Sequence, residues 1–116
     1  MIFHIAVRGE WDAAARDVGY MPPSLTAEGF IHCSTREQVI VTANLFYRGR
    51  SDLVLLVIDE NLLAAPLRYE TPPGKNDVRA ALSFPHIYGP LNLNAVISAE
   101  RLPCTADGSF ALPSNL

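Results

Sequence analysis

The residues of this chain best suited to chemistry are its three histidines, His4, His32 and His86. Each sits in a strand-like stretch beside a turn, so a fold can bring them together. Imidazole exchanges its proton near neutral pH, and can act as general acid or base, hold an anion or ligate a metal. The three form the candidate catalytic set, although each taken singly is as readily a half-buried side chain satisfied by backbone carbonyls. Three imidazoles can also hold zinc and leave a position open for water. Zinc enzymes usually draw two ligands from neighbouring turns of one element, whereas these histidines lie 28 and 54 residues apart. No metal is therefore expected, and a zinc hydrolase is the third functional reading.

Cys33 and Cys104 are the candidate nucleophiles of the cysteine class. On a strand, neighbours point to opposite faces, so Cys33 cannot use His32 as its base, and an inert buried thiol is the expectation. Arg68, Glu70, Lys75 and Arg79 flank a proline- and glycine-containing loop. Glu70 and Arg79 are the pair of interest there, as a carboxylate and an anion clamp.

The positioning elements are set by periodicity. Phe3, Ile5 and Val7 alternate with Ile2, His4 and Ala6, which predicts a first strand with His4 facing away from the bulkiest packing. Glu10 to Arg16 is rich in helix formers before Gly19, and Trp11 would anchor that short helix. Tyr20 to Ala27, with two prolines, is expected to be an irregular loop. Glu28 to Ser34 reads as a strand placing Phe30, His32 and Ser34 on one face. Ser34 with Glu37, and Thr35 with Gln38, are capping-box patterns that open a helix running to about Arg48 and ended by Gly49. The N–H groups from Ser34 to Glu37 would suit an anion or carbonyl. Leu53 to Asp59 is apolar throughout, hence a central strand covered on both faces. A turn or short helix spans residues 60–65, Leu67 to Glu70 is an edge strand, and residues 71–77 form the loop best suited to mobility. Phe84 to Pro90 leads into a strand from Leu91 to Leu102, and Phe110 and Leu112 latch the tail after an Asp107-Gly108 turn.

The chain of 116 residues suits one domain, spanning all of residues 1–116, with its own core. A six-residue apolar run at Leu53 to Ile58 is the longest, well under the roughly 20 that cross a bilayer as a helix. The first residues lack the pattern of a secretory leader, and two distant cysteines suggest no disulfide framework, so a cytoplasmic protein is expected. A net charge of −3 argues against a nucleic-acid partner, which needs a basic face. The fold class expected is α+β, a mostly antiparallel sheet, continuous or split, with one main helix.

Three segments carry a resemblance. Glu28-Gly29-Phe30-Ile31-His32-Cys33-Ser34-Thr35 and Phe84-Pro85-His86-Ile87-Tyr88-Gly89-Pro90-Leu91, preceded by Phe3-His4-Ile5, resemble the motifs of a bacterial family labelled domain of unknown function 952. The likeness spans nearly the whole chain. That family is grouped with the ADP-ribosyltransferase-like fold, which includes poly-ADP-ribose polymerase catalytic domains and RNA 2′-phosphotransferases. In the polymerases one strand carries His-Gly, a second Gly-Ile-Tyr-Phe-Ala before a helix, and a later one a catalytic glutamate. His4 resembles the first position, Gly29-Phe30-Ile31-His32 the second motif, and His86 roughly the third.

The resemblance implies an NAD-type cofactor and a small nucleotide ligand. His4 would then bond the ribose beside nicotinamide, and His32 would lie near the nicotinamide ring. His86 would handle the reacting hydroxyl or the acceptor, with Ser34, Thr35 and Tyr88 assisting. Histidine at the third place departs from the pattern. It cannot supply the negative charge that favours an oxocarbenium-like ribose. The resemblance thus implies an ADP-ribosyl- or 2′-phosphotransferase-like enzyme or, from another class, a non-catalytic module that keeps the pocket for a small ligand or a protein.

Overall fold

The computed structural model describes residues 1–72 and 82–116. Lys75, Arg79 and most of the loop expected at residues 71–77 lie outside them. Among the described residues, six strands form two three-stranded antiparallel sheets. Strands β1 (Ile2–Val7), β3 (Leu53–Ile58) and β6 (Val96–Arg101) make one, in the order β1-β3-β6. Strands β2 (Ile31–His32), β4 (Leu67–Glu70) and β5 (Phe84–Ile87) make the other, in the order β2-β5-β4. Helices α1 (Arg8–Asp12), α2 (Pro23–Glu28) and α3 (Arg36–Phe46) accompany them, with two short 3₁₀ turns at Glu60–Leu62 and Leu93–Ala95. The α+β class expected, with antiparallel strands and one main helix, agrees with this arrangement, and of the two alternatives left open the sheet is split.

The sheets meet at one seam. Phe3 N–H donates to the Ser34 carbonyl at 2.8 Å and Ser34 N–H to the Phe3 carbonyl at 2.7 Å, a single antiparallel bridge between β1 and the residue two places beyond β2. Past that bridge the sheets part.

β3 lies between β1 and β6 and all six of its residues are buried. Its alternation builds two cores. Val54, Leu56 and Ile58 join Ile2, Ala6, Tyr20, Ile31, Ile87 and Leu91 on one face. Leu53, Leu55 and Val57 join Phe3, Ile5, Val39, Ala43 and Phe110 on the other. At about 2 kcal/mol for each fully buried aliphatic side chain, this strand contributes roughly 10 kcal/mol of gross hydrophobic stabilisation. α3 covers the second core through Val39 and Ala43, while its Leu45 and Phe46 stay exposed. Its start uses the capping box one residue on from Ser34: Thr35 is the N-cap, and Gln38 Oε1 accepts from Thr35 N–H at 2.9 Å.

Some expectations are corrected. Residues 23–28 are helical, because Pro23 occupies N1, where its missing N–H costs nothing, and Gly29 closes the helix with φ 88°. The first helix begins at Arg8, directly off β1, and ends by Ala13. The β2 ladder is confined to two residues. β6 begins only at Val96, because Asn92 accepts from Ala64 N–H at 2.9 Å and donates to the Leu62 carbonyl at 2.8 Å, holding residues 91–95 out of the ladder.

His4 also departs from expectation. Its face of β1 is as buried as the other, and its side chain is enclosed. Nδ1 lies 2.5 Å from the His32 carbonyl and Nε2 2.8 Å from the Tyr20 hydroxyl. A carbonyl only accepts, so Nδ1 carries the proton and Nε2 accepts from Tyr20. Burial lowers the His4 pKa to about 4 and raises that of the Tyr20 hydroxyl. Tyr20 is itself held by paired backbone bonds to Leu91, N–H to carbonyl at 2.9 and 3.0 Å. Gly19 permits that approach: φ is 97°, and an added Cβ would lie 2.5 Å from the Leu91 carbonyl oxygen.

Two outcomes are expected. In the unfolded chain His4 takes a proton near pH 6.5, whereas in the folded chain it does so only near 4, so stability falls as pH drops between those values, by about 3 kcal/mol from this residue. Urea unfolding of wild type and His4→Gln across pH 7 to 4 checks this: the penalty of the variant should shrink by that amount toward pH 4, and a constant penalty would contradict it. Gly19→Ala should cost more than about 2 kcal/mol, combining left-handed strain with a backbone clash, while Gly29→Ala, with φ 88° but open space, should cost about 1. Thermal unfolding of the two variants compares them.

Candidate functional site

Where the sheets part, a cavity of about 770 Å³ opens between the β2-β5-β4 sheet and α3. Its size is that of a small-molecule site. The sheet contributes His32, Glu70, Phe84, His86 and Tyr88 with neighbouring Phe30 and Glu28, and the helix contributes Thr42, Phe46 and Tyr47. β2 and β5 pair so that His32 stands directly opposite His86. Same-face cross-strand neighbours come into contact, and here the two imidazole centroids lie 5.4 Å apart, edge to face. Phe30 packs over both, stacked on His86 at 4.1 Å and 19° and edge-on to His32 at 4.8 Å.

Each of these histidines holds a carboxylate. His86 Nδ1 lies 2.8 Å from Glu70 Oε1, which also accepts a short hydrogen bond from the Tyr88 hydroxyl. Glu70 reaches this position because β4 and β5 are antiparallel with Arg68 opposite His86, so Glu70 extends past His86 at the strand end. The Tyr88 and His86 donors hold the Glu70 carboxyl below its usual range, and the same bond raises the Tyr88 hydroxyl. Arg68 covers the Tyr88 ring, its guanidinium carbon 5.1 Å from the centroid. His32 Nε2 lies 2.6 Å from Glu28 Oε2, with both side chains about half exposed. Gly29 makes this pair possible by reversing the chain between the end of α2 and β2.

His86 is the buried partner and His32 the exposed one. An ionised carboxylate accepts only, so the proton of each neutral imidazole rests on the nitrogen facing its glutamate. His32 Nδ1 and His86 Nε2 carry the remaining lone pairs, and neither bonds another described residue. The arrangement can therefore accept protons at two places, and it presents a fixed negative charge at Glu70.

His32, His86, Ser34 and Tyr88 of the sequence candidates line the cavity. His4 does not: it lies beneath β2, and its contact with the group is through the His32 carbonyl. Thr35 caps α3 away from the wall. The anion site anticipated at Ser34 to Glu37 loses two donors, since Ser34 N–H pairs with Phe3 and Thr35 N–H with Gln38. Cys33 lines the cavity but is buried, and desolvation pushes its thiol well above the ordinary range, so it is no nucleophile at neutral pH. Among the described residues no group of three or more His, Cys, Asp or Glu is placed to hold a metal ion. His4 has both nitrogens engaged, which removes it from a three-histidine set.

Sequence reasoning missed Glu28 as a partner of His32, and it missed the α3 wall. On that wall Thr42 carries a buried hydroxyl with no partner among the described residues. The described lining holds two carboxylates, Glu28 and Glu70, with Arg68 beside Tyr88.

No helix of the described residues is long and apolar enough to cross a membrane. No curated protein matches the chain. Solved structures of Protein CC0527 from Caulobacter crescentus do. A crystal structure is 36% identical with a TM-score of 0.81, covering 96% of this chain and 93% of that one. A solution NMR structure of the same protein is 36% identical with a TM-score of 0.78, covering 99% and 95%. A family model described as a protein of unknown function, DUF952, matches residues 5–99, and the chain belongs to that family.

Proposed function

We propose that the cavity is a nucleotide site of the NAD or ADP-ribose type that takes the cationic nicotinamide riboside end of NAD⁺, with Glu70 supplying the negative charge for loss of nicotinamide. The observation that carries this reading is the Glu70 carboxylate, held ionised by Tyr88 and His86 on an aromatic wall. His86 at the third motif position could not supply a negative charge, but its bonded neighbour does. The residues fit such a ligand in kind. Phe30, Phe46, Tyr47 and Tyr88 make the lining aromatic, as suits a flat heterocycle, and the carboxylates favour a cation over an anion. Arg68, beside Tyr88, is the described cation nearest the phosphates of a bound dinucleotide.

NAD⁺ is here a substrate. When bound, it supplies an activated C–N bond at the ribose and nicotinamide as a neutral leaving group. Glu70 favours positive charge developing on the ribose, as carboxylates do in glycoside cleavage. His86 and Tyr88 fix Oε1 of that carboxylate, and Oε2, which bonds no other side chain among the described residues, would serve ribose hydroxyls. The acidic lining weighs against the RNA 2′-phosphotransferase version. The non-catalytic module remains the competing class, favoured by the exposed apolar surface of Phe46 in the cavity lining.

NAD⁺ and NADH have nearly the same shape and differ in the charge of the nicotinamide ring, so calorimetric titration of both isolates the electrostatic claim. NAD⁺ should bind saturably below millimolar and at least about tenfold more tightly than NADH, a difference near 1.4 kcal/mol. Glu70→Gln should abolish the preference. Absence of NAD⁺ binding, or equal affinity for both forms, would overturn the assignment. Binding without nicotinamide release would leave the module reading in place.

A further inference from the structure

The two histidine–carboxylate pairs differ in a way that one role does not explain. Glu70, His86 and Tyr88 form one bonded group on the β4–β5 wall, with His86 7% exposed and the Glu70 side chain 38%. Glu28 and His32 form an open pair at the mouth, with side chains 49% and 53% exposed. His86 is buried against Phe30, whereas a group that takes a proton from an arriving nucleophile must face the route of entry, as His32 does.

We propose that His32 is the general base that activates an O–H nucleophile, water or an alcohol, at the mouth of the cavity, with Glu28 as its positioning residue. This inference rests on the nucleotide reading above. Glu28 holds the proton on Nε2, so Nδ1 presents its lone pair. The His32 backbone is fixed at the same time, since its carbonyl accepts from buried His4 and its strand pairs with β5. As the C–N bond to nicotinamide breaks, its electron pair leaves with the ring. The nucleophile's oxygen bonds the anomeric carbon, and its proton passes to His32 Nδ1. The resulting imidazolium is stabilised by Glu28. Edge-on packing against Phe30 and His86 fixes the plane in which the acceptor must lie.

Three measurements test this on the whole chain. ¹⁵N NMR of the ligand-free protein should report the Nε2-protonated tautomer at His32, with Glu28→Gln moving it toward a mixture. A His32 already mixed in the wild type would overturn the role of Glu28. His32→Gln should retain NAD⁺ affinity by calorimetry and lose about 100-fold in nicotinamide release, within the range for a general base. Azide, an anion that needs no deprotonation, should restore release in His32→Gln and give the azido product. Retained turnover in His32→Gln, or a loss that azide does not repair, would overturn the general-base role while leaving the pocket assignment standing. Failure of the wild type to bind NAD⁺ would instead remove the reading on which the inference rests. Product analysis separates the acceptors: free ADP-ribose marks water, and an O-glycoside formed in added methanol marks an alcohol.

Discussion

The structure depends on a seam that is nearly unpaired. A continuous six-stranded sheet would hydrogen-bond β1 to β2 along its length, but here a single bridge at Phe3 and Ser34 joins them. Backbone groups beside such a gap must find partners or be penalised by about 1–3 kcal/mol each. The His32 carbonyl is one of these groups, and the imidazole of His4 satisfies it from the neighbouring strand. A side chain thus replaces a rung of the ladder. Nδ1 carries the proton it donates there, so in the buried neutral imidazole Nε2 needs a donor, and the Tyr20 hydroxyl supplies it. Tyr20 in turn needs Leu91, and that contact needs a glycine at position 19. A line of polar contacts thus runs from the outer loops to the strand that bears His32.

The opening of the seam also creates the cavity. Two sheets that diverge past one bridge leave a wedge, and α3, fixed to the first sheet through Val39 and Ala43, closes its far side. The three histidines illustrate how burial and partners divide one residue type into different tasks. His4, enclosed with neutral partners, loses its basicity. His86, nearly as buried, lies against a carboxylate. His32 meets solvent.

Much of the frame was legible in the sequence, and the reasons for the failures are physical. The six-residue apolar run of β3 can be stable only with both faces covered, and the Thr35/Gln38 pair marks a helix start by local hydrogen bonding alone. Pro22-Pro23 misled, because proline forbids a helix interior but favours its first turn. The long strand expected from Leu91 failed because Asn92 offers the backbone an alternative to the ladder. Alternation in β1 identified the face of His4 but not what covers that face, since its cover, Tyr20 and Leu91, comes from remote segments. The pairing of Glu28 with His32 was hidden by treating residues 28–34 as one extended strand, when Gly29 in the left-handed region turns the chain between them. Glu70 was noticed as a charge near a loop, and its place beside His86 required the β4–β5 register.

The charge of the cavity constrains function more than its shape does. An aromatic slot of this volume suits many ligands, but its described lining carries two carboxylates, Glu28 and Glu70, and Glu70 is kept ionised by the Tyr88 and His86 hydrogen bonds with a contribution from Arg68. An anionic group placed beside both carboxylates would meet repulsion, stronger the less water lies between them. A flat cation, or a bond that becomes cationic as it breaks, meets attraction at the same place. On the proposed nucleotide reading, the phosphates would lie outward, toward Arg68, with the ring end inward. That orientation would put the ribose carbon between the Glu70 group and the exposed Glu28–His32 pair, one on the side where charge develops and the other where an acceptor can arrive.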